Sequence, residues 1–70
     1  MLVQDVILNC ELAYQLSGKP LSVKQAAITM LETVTCKDAR SLLEGICNAN
    51  APLIYLNAAK HKFNYLKESV

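Results

Sequence analysis

One histidine, three cysteines and six carboxylates are the side chains of this 70-residue chain best equipped to do chemistry. His61 sits between Lys60 and Lys62. A zinc site takes about four ligands, and a hydrolytic triad needs a nucleophile and an orienting acid. Nothing in the spacing supplies either, so His61 reads as a solvated side chain. Cys10, Cys36 and Cys47 contain no CxxC pair, and an odd number cannot close a complete disulfide framework. Each lies among apolar residues at helical spacing, where free cysteine acts as a small buried hydrophobe and implies a reducing compartment. Cys36, beside Lys37 at a helix start, is the best placed of the three for a lowered thiol pKa. Asp5, Glu11, Glu32, Asp38, Glu44 and Glu68 are scattered singly, whereas paired-carboxylate catalysis needs two on one concave wall. The chain is therefore read as no enzyme, with no catalytic residue, metal, cofactor or small-molecule substrate.

The remaining polar chemistry is recognition. Lys37, Arg40, Ser41 and Asn48 project from one helical stretch and are side chains able to reach phosphates or base edges. The segment from Val34 to Gly45 resembles the second helix of repressor-type helix-turn-helix domains, with Val34 and Thr35 in the turn and Ala39 and Leu42 inward. The upstream half departs from that pattern. Thr33 stands where the turn commonly holds glycine, Thr29 where the first helix has alanine, and Glu32 where an apolar residue is usual. The resemblance covers under a third of the chain. It implies a small DNA-binding regulator using the helix at 36–48, and that is the alternative reading. A formal net charge of +1 argues against it, since phosphate contacts call for a basic surface.

Positioning these groups falls to helices. Val3, Val6, Ile7, Cys10, Ala13 and Tyr14 recur at three- and four-residue steps, while Leu8, Leu12 and Leu16 form a second stripe. Gln4, Glu11 and Gln15 make the polar wedge between them. Gly18 and Pro20 mark the stop. Ser22 with Gln25 reads as a capping box for a second helix whose buried side is Val23, Ala26, Ala27, Met30, Leu31 and Val34. Thr35 with Asp38 repeats that pattern for a third, burying Cys36, Ala39, Leu42, Leu43, Ile46 and Cys47, with Gly45 on its exposed side. Asn50 caps a fourth that admits Pro52 in its first turn; its core stripe is Tyr55, Leu56, Ala59, Phe63 and Leu66, and Lys60 and Asn57 lie on its wet face. The expected fold is all-α: one domain over residues 1–70, a bundle of four short amphipathic helices at roughly 2–17, 23–34, 36–48 and 51–67.

At 53% hydrophobic and 19% charged, the chain is greasier than a domain of its size requires. A short chain buries a modest share of its apolar surface, so the excess suggests a face that meets another polypeptide. The leading expectation is a non-catalytic interaction module, an adaptor, inhibitor or chaperone-like subunit, whose partner is another protein chain, self or heterologous. Leu8, Leu12 and Leu16 are the candidate docking residues, extended by Ile54 and Tyr65. The competing expectation packs that stripe inside the monomer beneath the fourth helix. A membrane is not expected as the partner: helix one carries Asp5 and Glu11 and no cation, and no run reaches the length of a span. With no secretory signal at its start, the chain is expected in the cytoplasm.

Overall fold

A computed structural model describes residues 2–63. The chain runs through α1 (Val3–Ser17), α2 (Pro20–Leu31), α3 (Lys37–Asn48) and α4 (Pro52–Phe63). The fold is all-α, and each helix contacts the other three, most extensively α1 with α2 and α2 with α3. Tyr65 and Leu66, expected on the fourth helix, lie outside the described residues.

The end of α1 follows the sequence signal. Gly18 takes the left-handed conformation at φ 67°, and its amide donates to the Tyr14 carbonyl at 2.6 Å. A side chain is strained in that conformation, which is why glycine serves there. The start of α2 differs from expectation. Pro20 is its first residue and the N-cap is Lys19, without a side-chain hydrogen bond. Proline has φ preset for a helix and lacks an amide that would be orphaned there in any case. The helix thus begins three residues early, Ser22 sits inside its first turn, and the Ser22–Gln25 capping box does not form.

Helix α2 also stops early, at Leu31, where the β-branched run Thr33-Val34-Thr35 disfavours continuation. Val34 remains buried beyond the helix end, and its amide donates to Met30 O at 3.0 Å. The N-cap of α3 is Cys36, whose carbonyl accepts from the Arg40 amide at 2.9 Å; it too lacks a side-chain bond, so the Thr35–Asp38 box is absent. Asp38 still lies in the first turn, where a carboxylate suits the helix dipole. At α4, Ala51 O accepts from the Tyr55 amide at 3.1 Å, and Pro52 opens the helix. Among the described residues Asn50 makes no side-chain cap. Lys60, His61 and Lys62 fill the last described turn, the favourable end for cations.

The core gathers Val3, Val6, Ile7 and Cys10 from α1, Val23 and Ala27 from α2, Ala39, Leu42, Leu43 and Ile46 from α3, and Leu56 and Ala59 from α4. Most of the residues expected on buried faces are here or packed against it. Cys36 and Cys47 are half-buried rather than fully enclosed, and Tyr55 is exposed at the edge of the α3–α4 seam. Gly45 is not on an open surface: a Cβ built there would overlap the phenol ring of Tyr55. Its missing side chain is what lets that ring lie over α3. Glu11 and Lys60, both assigned to wet faces, meet instead. Lys60 Nζ donates to Glu11 Oε2 at 3.1 Å and lies 3.1 Å from Oε1, the second contact without hydrogen-bond alignment, tying α1 to α4.

Candidate docking face

Helix α1 presents two apolar sides. With each residue turning by about 100°, Leu8, Leu12 and Leu16 fall roughly opposite Val6, Ile7 and Cys10. The second set is sealed in the core, while the leucines are 46%, 50% and 80% exposed. The packing of α1 accounts for the difference. Along one flank Asn9 borders Ala26, Thr29 and Met30 of α2. Along the other, Glu11, Tyr14 and Gln15 border Leu53, Leu56 and Asn57 of α4. Both neighbours grip the inner half of α1, and neither reaches over the leucines. The expectation that the stripe lies beneath the fourth helix is thereby overturned for the described residues.

Four-residue steps stack the three leucines into one ridge, since residues at that spacing are adjacent on a helix surface. Isolated exposed apolar residues are ordinary, whereas a contiguous row on one face is a candidate interaction surface. Asp5 lies in line with the ridge, and the Asn9 side chain is held by a bond to the Asp5 carbonyl at 2.8 Å. Ile54 is also exposed, at 71%, but on α4, and it does not line the seam where Gln15 of α1 borders Asn57 of α4. The structure therefore keeps Leu8, Leu12 and Leu16 together and sets Ile54 apart; Tyr65 lies outside the described residues. Sequence reasoning passed over a second pair. Leu21 and Ile28 stand 64% and 54% exposed on α2, seven residues apart and so on one side of the helix. That spacing was available once Pro20 is taken as the helix start.

The four residues of the nucleic-acid reading all lie on the exposed side of α3. One of them has a structural occupation. Arg40 Nη1 donates to the Leu31 carbonyl at 3.0 Å and to the Val34 carbonyl at 3.1 Å, closing the end of α2. Its Nε lies 3.7 Å from Glu44, an exposed pair of little energetic weight. Lys37, Ser41 and Asn48 are exposed and make no such bonds among the described residues.

The thiols are all free. Burial pushes Cys10 from an ordinary value of 9.0 up to about 11, with nearby Cys47 and Glu11 adding to the rise. Burial also raises Cys47, against the lowering effect of Lys24. Neither is an activated thiolate, because nucleophilic cysteines need the opposite shift. A cleft of about 390 Å³ between α3 and α4 is lined by Asp38, Ser41, Tyr55 and Lys62 among others. Among the described residues, Ser41 has no hydrogen-bonded base there, and no group of three or more His, Cys, Asp or Glu could hold a metal ion. No described helix is long and apolar enough to cross a membrane.

No family model matches this chain, and neither a curated protein nor a solved structure matches it significantly.

Proposed function

We propose that this protein is a small non-catalytic docking module that binds another polypeptide through the outer face of α1. The observation that carries the reading is the ridge of Leu8, Leu12 and Leu16, all exposed on a helix whose other side already supplies core residues. Keeping three large apolar side chains in water gives the monomer nothing. Covering them yields roughly 25 cal/mol for each Å² of apolar surface removed. Anchors at i, i+4 and i+8 are the pattern by which a helix seats in an apolar groove or against a second helix. An adaptor, an inhibitor and a chaperone-like subunit all use such a face. The three free thiols suit a reducing compartment such as the cytoplasm. The nucleic-acid reading has less support, because Arg40 is engaged in holding the α2–α3 connection.

Photo-crosslinking in the producing cell tests the proposal. A photoreactive residue in place of Gln15, beside the ridge, is expected to capture a polypeptide; the same residue at Asn48 is not. Leu12→Asp should abolish that capture while leaving the helical circular dichroism intact. Absence of any cross-linked polypeptide from position 15, or capture indifferent to Leu12→Asp, would sink it.

A further inference from the structure

Resting on the docking reading above, we infer that the polypeptide covering the leucine ridge is a second copy of this chain, with the two α1 helices antiparallel and related by a two-fold axis at Leu12. A two-fold interface must be complementary to itself, each residue on one copy meeting a fixed counterpart on the other. An axis at Leu12 sets Leu12 against Leu12 and Leu8 against Leu16, so every leucine of the ridge meets another. The charges beyond the ridge lie toward opposite ends of α1. Asp5 stands seven residues before Leu12 and Lys19 seven residues after it. The antiparallel pairing sets the Asp5 end of each α1 beside the end of the other copy's α1, where Lys19 follows the left-handed Gly18, twice per dimer.

Both groups are available for this. Asp5 shares the angular position of the ridge, and Lys19 is exposed at the N-cap of α2. Among the described residues neither has an ionic partner. A parallel arrangement would instead set Asp5 beside Asp5 and Lys19 beside Lys19, a like-charge penalty at each end. Helices that pack by rows at four-residue steps cross at roughly 50°, which lays the two rows of leucines side by side. At Asp5, seven residues from the crossing point, the helix directions have spread by about 9 Å sideways, and the Lys19 side chain has to cover that gap from the connection beyond Ser17. One helix face per copy is a small interface, below about 1,200 Å² in total, so the affinity is expected to be on the order of micromolar.

Sedimentation equilibrium of the purified full chain, from low micromolar to millimolar concentration, decides the matter. The wild type is expected to follow a monomer–dimer equilibrium. Asp5→Lys and Lys19→Asp should each weaken the dimer by about tenfold at low salt, because each reversal acts at two symmetric pairs. Combining them should return the affinity to within about threefold of wild type, since the exchanged charges meet again. Helical circular dichroism, unchanged in all three variants, separates these effects from unfolding. A wild type that stays monomeric at millimolar concentration overturns the inference. So does a dimer in which the double variant is no tighter than the single ones, because the register would then be wrong. If the chain is monomeric yet position 15 still captures a different polypeptide in a Leu12-dependent way, the docking reading stands and only the second copy is lost.

Discussion

Helix propensity alone gives alanine in place of Gly45 about 1 kcal/mol of added stability. The phenol of Tyr55 occupies the space that the new methyl would need, so that gain is expected to vanish. The ring must swing outward and give up its contact with α3, leaving Gly45→Ala neutral or destabilised by about 1 kcal/mol. In a Tyr55→Leu background the same change should stabilise by about 1 kcal/mol, and urea unfolding of the four proteins measures the coupling. Equal gains in both backgrounds would show that the two residues do not share that space. Cys10 supplies a second residue-level test. Its thiol titrates near 9.0 in the unfolded chain and at about 11 in the fold. Between those values the unfolded state has released a proton that the native state retains, so stability falls as pH rises through that window. The loss expected is about 1–3 kcal/mol. Tyrosines and lysines titrate in the same range, so the informative quantity is the difference from Cys10→Ala, whose curve should be flatter between pH 9 and 11. A wild-type curve parallel to that of Cys10→Ala would contradict the burial of this thiol.

The elements show where periodicity is a sound guide and where local chemistry misleads. Three-and-four-residue recurrence found all four helices and the inward faces of α1 and α3, because burial repeats once per turn wherever a helix has a dry side. Capping motifs fared worse. Ser22-x-x-Gln25 has the right residues for a box, but Pro20 starts α2 upstream of it, and a motif means something only at the correct turn. That displacement also hid the Leu21–Ile28 pair. Glu11 and Lys60 illustrate another limit: a polar wedge on a helical wheel looks wet until its partner arrives from 49 residues away. The outer leucines had two fates open to them in the sequence, core or surface, and periodicity could not choose, since only the placement of α2 and α4 decides. Two substitutions test the observed boundaries. Ser22→Ala should change stability by less than about 0.5 kcal/mol, where loss of a working N-cap costs about 1. Arg40→Ala should cost about 1 kcal/mol, because the Leu31 and Val34 carbonyls lose a charged donor at a partly solvated site. Thermal or urea melts of the two variants would reverse in rank if Ser22 caps α2 and Arg40 is merely surface. Any loss of nucleic-acid binding in an Arg40 variant therefore has to be corrected for stability, whereas Lys37 gives a cleaner probe.

At the scale of the whole molecule, stability and association become one quantity. A domain of this size has little core to spare, and the 53% apolar content includes side chains that the monomer leaves wet. Covering them in the proposed complex would favour the folded state by mass action, because such a partner would bind the native ridge and not the unfolded chain. For self-association, each tenfold rise in concentration above the dissociation constant should add about 0.7 kcal/mol per chain, half of the 1.4 kcal/mol that a decade represents for the pair. In a chain this short that corresponds to roughly 3–6 °C in Tm. Scanning calorimetry at low micromolar and at millimolar concentration should therefore show the wild-type Tm climbing. Leu12→Asp removes the central contact, and its Tm should stay level across the series. At concentrations well below the dissociation constant, where both proteins are monomeric, the two should melt within about 0.5 kcal/mol of each other, because a half-exposed leucine contributes little to the interior. Severe destabilisation of Leu12→Asp in the monomer would mean that the ridge is covered within the chain itself. The same slope in both proteins would show association through some other surface, for which Leu21 and Ile28 on α2 are the next exposed pair to substitute.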